Sequence, residues 1–326
     1  MKLLMENWRK FIRDQTLSER VRISDEQAQA FANALTQASA GGPGAVRQLM
    51  NSEMGKSIPF RKFLRTTGAR EMDGSDSDDV VPIRAGVRKL SDLTPTQRFI
   101  DAGQSVAFPL ATADGLLKNI LNKKGFGPIT VSGDYIIDGH HRWSGIHSIA
   151  PDGTISVLDF GFKGDAQDKL AAAQIAVAAV DPRPQDEHPS KGGDAKANIM
   201  GASASQIYSI LDSLQGTQPD PGAPAPMLND EMLKQIATNP KYSAVLEWAG
   251  LNPAEETVDV DNLAEAIKIR VAENLAQMNP MADGAPDRPD MPQMDHPSIG
   301  KSQGLAKIKD RVSSGDINLA QPFVEK

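Results

Sequence analysis

The chain has no cysteine among its 326 residues, so disulfides, thiolate zinc sites and a cysteine nucleophile are all excluded. It has no run of about 18 apolar residues, which argues against a membrane span. Its opening stretch, Met1 to Ile12, carries Lys2, Glu6, Arg9 and Lys10 where a signal peptide keeps an apolar block. The expectation is a cytoplasmic protein, or a virion component if the chain is virus-encoded. Aromatic residues are scarce at 5%, and prolines number 22. With 40% hydrophobic residues, the chain can bury a core, in two or three compact units joined by extended connections.

The formal net charge of -7 covers an asymmetry. Residues 1–70 hold 12 Lys/Arg against 6 Asp/Glu, whereas residues 216–300 hold 5 against 14. The basic residues of the first segment are spread over several helices and not packed in a block, as solvated faces of amphipathic helices are. Leu4, Trp8, Phe11 and Ile12 fall at helical spacing and predict a helix over 2–14. Ser24-Asp-Glu-Gln27 is a capping-box pattern that opens a helix running to about Ser39, before Gly41-Gly-Pro43. Short helices are expected over 45–54 and 60–65.

Segment boundaries follow from composition. The N-terminal helical segment spans 1–67, and 68–78 is a polar linker. Residues 79–182 alternate strand and helix signals, including an extended run from Ser105 to Leu110, a helix over 113–122 and strands at 129–131, 134–137 and 155–160. A linker with one short helix spans 183–227, its Gly216 to Met227 portion rich in Pro, Gly and Ala and semi-extended. A helical unit covers 228–279, and 280–326 is an extended linker and tail. The fold class is therefore α+β, a small mixed domain flanked by N- and C-terminal helical segments. Those flanking helices are candidate docking elements for a protein partner.

The most informative stretch is Tyr135-Ile136-Ile137, a β-branched and aromatic strand that turns at Asp138-Gly139 into a helix beginning His140, His141, Arg142. A helix start offers N–H groups without intrahelical acceptors and a partial positive charge. Glycine lets a ligand approach the backbone closely, and arginine adds a two-pronged donor. These properties suit phosphate. The plain structural alternative is an ion pair between Asp138 and Arg142, with His141 filling space.

The sequence Ile136-Ile-Asp-Gly-His-His-Arg-Trp143, after a strand and hairpin, resembles the ParB/sulfiredoxin superfamily and its ParB-like nuclease branch. Leu93-Thr-Pro-Thr-Gln97 is similar to the segment that faces the same site in that superfamily. The resemblance covers about residues 79–182. Sulfiredoxins place a cysteine where His140 stands, so their activity is not implied. Partitioning ParB proteins, which bind CTP and DNA, match here at Arg142 but not at His140 or His141. The free serine kinases resemble this turn more closely, matching Asp138, Gly139, His140 and Arg142. They use an upstream glutamate as base where this chain has Gln97, so Asp92 or Asp101 would have to take that role.

What the resemblance implies is a nucleoside triphosphate or diphosphate with Mg2+, its phosphates held by Gly139 and the N–H groups of His140 and His141. Arg142 would stabilise transition-state charge, His140 would contact phosphate or move a proton, and Asp138 completes the set. Three functions stay open. One is nucleotide-dependent phosphotransfer or hydrolysis; another is a nuclease or DNA-binding module, without a helix-turn-helix signature. The last is a structural or interaction protein, with a virus particle as one setting, that keeps the fold without the chemistry.

Overall fold

The computed structural model describes residues 22–66, 80–125, 127–180, 197–254, 258–294 and 304–313. The expected helix over 2–14, the linker over 68–78, residues 183–196 and the tail beyond 313 lie outside these residues. The first helices are α1 (Asp25–Ala40), α2 (Gly42–Asn51), α3 (Glu53–Lys56) and α4 (Ile58–Thr66). Strands β1 (Ile83–Lys89) and β2 (Thr94–Pro95) lead to α5 (Ala102–Val106) and α6 (Ala113–Asn122). Then come the hairpin β3 (Ile129–Ser132) and β4 (Tyr135–Asp138), α7 (His140–His147), β5 (Thr154–Phe160) and α8 (Ala166–Val180). Helices α9 (Ala204–Leu214), α10 (Asp230–Thr238), α11 (Ser243–Trp248), α12 (Val260–Leu275) and α13 (Gly304–Ser313) complete the order.

The described residues fall into two compact units, each assembled from separated stretches of chain. One draws on residues 1–84, 160–190 and 289–326, the other on 85–159 and 191–288.

The first unit is helical. The capping box at Ser24 forms as its sequence predicts, with Ser24 Oγ accepting from Gln27 N at 3.2 Å and Gln27 Oε1 accepting from Ser24 N at 3.1 Å. Phe31 of α1 meets Phe60 and Phe63 of α4 edge-on, with ring centroids 5.3 and 5.6 Å apart. Helix α8 is the element the others pack on: α1, α2, α4 and α13 all touch it. Its run of alanines lets neighbours approach closely while keeping high helix propensity.

The second unit holds most of the five-stranded mixed sheet, in the order β1-β5-β3-β4-β2. β3 and β4 are antiparallel, while β2 runs parallel to β4 and β5 parallel to β3. Buried Leu90, Val131, Ile136, Trp143 and Ile146 share one apolar cluster with Ile207, Leu211, Leu263, Ile267 and Val271 of α9 and α12. The helices over 204–275 therefore belong to the same core as the strands. The α+β class is the observed one.

Three local expectations change. The run Val80-Val-Pro-Ile83 reads in the sequence as a strand, but β1 starts only at Ile83 and runs to Lys89. Ser105 to Leu110 is not extended. Asp101 caps α5 by accepting from Gln104 N at 2.8 Å, and Leu110 N closes a further turn on Val106 O at 3.0 Å. Gly216 to Met227 folds back on itself through Gly216 N to Met227 O and Met227 N to Thr217 O, both 2.9 Å, and buries Ala223 and Met227. Pro and Gly there build turns and not a spacer.

Candidate functional site

The site is built where β4 ends. β3 and β4 meet at a two-residue turn containing Gly133, φ +59°. The pairing then slips: Thr130 faces Asp138 and Val131 faces Ile136, which leaves Ile137 as an extra residue in β4. Such a bulge twists the strand and re-aims the residues beyond it. Asp138 is next, and its Oδ1 accepts from Gly139 N at 2.7 Å.

Gly139 has φ +98°, a left-handed conformation that suits glycine. A side chain there would also put Cβ 2.6 Å from Ile129 Cγ2. The sharp turn lets α7 start at once. Arg142 N and Trp143 N both donate back to Gly139 O, at 2.9 and 3.1 Å, so the N–H groups of His140 and His141 have no acceptor within the helix. Trp143 anchors the helix from below, fully buried, its Nε1 donating to Leu90 O at 3.2 Å.

Parallel pairing of β2 with β4, Thr94 opposite Tyr135 and Pro95 opposite Ile136, brings the Thr96 to Asp101 segment against this turn. Thr96 Oγ1 donates to Ile136 O. Thr96 N donates to His140 Nε2 at 3.1 Å, and Asp101 N donates to His141 Nε2 at 3.3 Å. Both rings therefore accept at Nε2 and are neutral. Burial and, to a lesser degree, electrostatic repulsion by any protonation of His141 and by Arg288 lower His140 to about 3. Burial and Arg288 lower His141 to about 3 as well. In both rings Nε2 is engaged by backbone, which leaves the Nδ1 edge for any further contact.

The remaining expected residues divide. Arg142 folds back over the glycine turn, with Nη1 donating to Pro128 O at 2.5 Å. Gln97 is buried and its amide donates to Phe99 O. Asp92 is exposed in a 3-10 turn, Leu90–Asp92, beside Ser91 Oγ at 3.4 Å. Of the upstream residues, Asp101 is the one bonded to the start of α7, through its backbone N–H, while its carboxylate caps α5. Behind it, Ser105 Oγ lies 2.7 Å from Ser144 Oγ, and Ser144 Oγ donates to His140 O at 2.9 Å, so α5 and α7 are locked together.

Comparison with family models, with curated proteins and with solved structures found no match.

One residue at this site was missed by sequence reasoning. Arg288 Nη1 donates to Gln104 Oε1 at 3.1 Å, and Gln104 is the residue whose N–H is taken by Asp101. Burial lowers the Arg288 pKa, while the charges of Asp101 and Asp138 raise it. The guanidinium thus stands near both carboxylates and both histidines. A signal was present in the sequence: Arg288 is the lone Lys or Arg in residues 271–300, an acidic and proline-rich stretch.

Proposed function

We propose that the turn from Asp138 to Arg142 binds the phosphates of a nucleoside triphosphate or diphosphate, and that phosphotransfer or nucleotide hydrolysis takes place there. The carrying observation is the left-handed Gly139 turn that opens α7 with two backbone N–H donors lacking helical acceptors, beside Arg142. The resemblance to the ParB/sulfiredoxin superfamily points to the same turn. In this reading the N–H groups of His140 and His141 hold a phosphate, and Arg142 turns from Pro128 O to neutralise charge in the transition state. The histidines act as neutral spacers that fix α7 against the Thr96 to Asp101 segment. Asp101, not Gln97 or Asp92, serves as the base: Gln97 has no carboxylate and Asp92 is exposed in a separate turn, whereas the backbone of Asp101 is tied to His141 at the start of α7.

Mg2+ fits the donor set in a limited sense. Asp101 and Asp138 each engage Oδ1 with a backbone N–H, and two carboxylates are what Mg2+ ordinarily takes from protein when phosphates and water complete its shell. These residues would hold it, and it would screen phosphate charge.

Calorimetric titration with ATP, ADP and CTP, each with Mg2+, tests the reading on wild type and Arg142→Ala. Binding to wild type that weakens roughly 10-fold or more in the variant is expected. Absence of heat with every nucleotide would sink it and direct attention to DNA and protein partners. A second reading, an interaction protein with a non-catalytic site, draws on the engagement of both histidine Nε2 atoms and of the Gln97 amide by backbone. Nucleotide binding without turnover would favour it.

A further inference from the structure

The segment after α12 carries no helix or strand from Asn279 to Asp287, yet it is tied down along its length. Asn279 Nδ2 donates to Ser91 O and to Leu93 O, both at 2.8 Å. Ala282 N donates to Pro95 O at 2.8 Å, and Arg98 N donates to Pro286 O at 3.1 Å. Arg98 Nη1 also lies 3.7 Å from Asp287 Oδ1. The segment therefore runs as a strap along the 91–98 stretch, the same stretch that presents Thr96 to His140. It ends at Arg288.

We propose that Arg288 is a phosphate-binding residue of the Asp138 to Arg142 site, delivered by this strap to the side of α7 occupied by His141 and Asp101. The proposal rests on the phosphate reading of that turn. Its geometry is a continuous run of hydrogen bonds, from Arg288 Nη1 to Gln104 Oε1, from Gln104 N to Asp101 Oδ1 and from Asp101 N to His141 Nε2. Among the described residues, one acceptor, Gln104 Oε1, is found for the five N–H donors of this half-buried guanidinium. A group placed in this way, half-buried and with most of its fork unspent, suits a two-oxygen acceptor such as phosphate. Arg142 occupies the other flank, turned toward Pro128. The two arginines then grip one phosphate group, or neighbouring groups of a diphosphate, from opposite sides of the helix start.

The ligand-free charge balance agrees with this role. Asp101 and Asp138 near Arg288 keep its charge compensated until an anion arrives. Both neighbouring imidazoles are neutral, so they bring no charge that competes with the guanidinium for that anion. Once phosphate takes up the guanidinium charge, Asp101 and Asp138 lose the compensation it gave them, which a divalent cation accompanying the nucleotide would restore, so Mg2+ strengthens binding by this route.

Phenylglyoxal labelling of the full chain, mapped by mass spectrometry with and without Mg-pyrophosphate and Mg-ATP, tests this without a mutation. Protection of both Arg142 and Arg288 is the expected result. Calorimetry with the same two ligands should show a loss of roughly 10-fold to 100-fold in Arg288→Ala and a smaller loss in Arg288→Lys. Arg142 protected while Arg288 labels at an unchanged rate would overturn the proposal and leave the phosphate site standing, as would Arg288→Ala binding like wild type. Neither arginine protected, with no heat from wild type, would mean that the phosphate reading itself has failed and this proposal with it. Should Arg288→Ala not fold, the labelling of wild type decides.

Discussion

Helix α8 buries Leu170, Ile175 and Val177 among a run of alanines, whereas α7, about half as long, buries His140, Ser144 and His147 alongside Trp143 and Ile146. Each helix is covered on most of its circumference. In α8 the cover asks mainly for volume and small size, conditions many sequences meet, with Gln174 the one buried polar side chain. In α7 it asks for particular partners: Thr96 N for His140, the Ser105 hydroxyl for Ser144, Leu90 O for Trp143. Polar burial on this scale contributes little net stability and demands one arrangement of neighbours. The difference separates a helix that holds a bundle together from one whose orientation is fixed for another purpose.

The contrast can be tested by deletion. Trp143→Ala should cost about 3–5 kcal/mol, because it removes the largest fully buried side chain and one of the two hydrogen bonds to Leu90 O. Leu170→Ala in α8 should fall lower, at about 2–4 kcal/mol. Urea denaturation monitored for each unit's own reporter reads both, and equal costs would erase the distinction.

Acid should separate the two helices next. His140 and His147 are lowered to about 3 and about 4, first by burial, against an ordinary value near 6.5. The unfolded chain therefore takes up protons before the folded one does. Stability is full above pH 6.5, falls as the pH is lowered from there, and the loss is complete once the folded-state values are passed. From pH 6.5 to 5 each of these two histidines should remove on the order of 2 kcal/mol. His141 is only half-buried, so water moderates its share. The buried residues of α8 include no titratable group. Denaturation midpoints at pH 7 and pH 5 check this, and an unchanged midpoint for the unit containing α7 would contradict neutral burial.

The smallest expected effect concerns a single methyl. Within a helix, glycine to alanine ordinarily stabilises by about 1 kcal/mol. At Gly145 the added Cβ would lie 2.7 Å from Ser105 O, a backbone atom, so Gly145→Ala should instead destabilise by about 1–3 kcal/mol. Thermal unfolding decides the sign.

Much of this was readable beforehand where local chemistry rules. The boundaries of α6, the cap of α1 at Ser24 and the strand-turn-helix around Gly139 depend on residues within a few positions of each other. Helix α5 was not readable, because its five residues form a helix only with the Asp101 cap and the close approach of Gly145. The engagement of His140 and His141 was hidden for a related reason. Their partners, Thr96 N and Asp101 N, are set by parallel pairing of β2 with β4, a long-range event with no local signature. Arg288 lay farther still along the chain, and its only mark was a solitary positive charge in acidic surroundings.

The interleaving of the two units has a consequence for synthesis. Residues 85–159 emerge from the ribosome long before 279–288, yet Pro95 O and Arg98 N find their partners only in that later stretch. Until those residues arrive, the nascent β2 side of the sheet presents unpaired backbone groups, the kind of edge that recruits stray strands. The first unit waits likewise for residues 160–180 to supply α8, on which α1, α2 and α4, already made, can pack. A chain ordered in this way completes its sheet only once residues 279–288 have been made, so a premature stop before that stretch leaves both the strap and the sheet edge it covers unfinished.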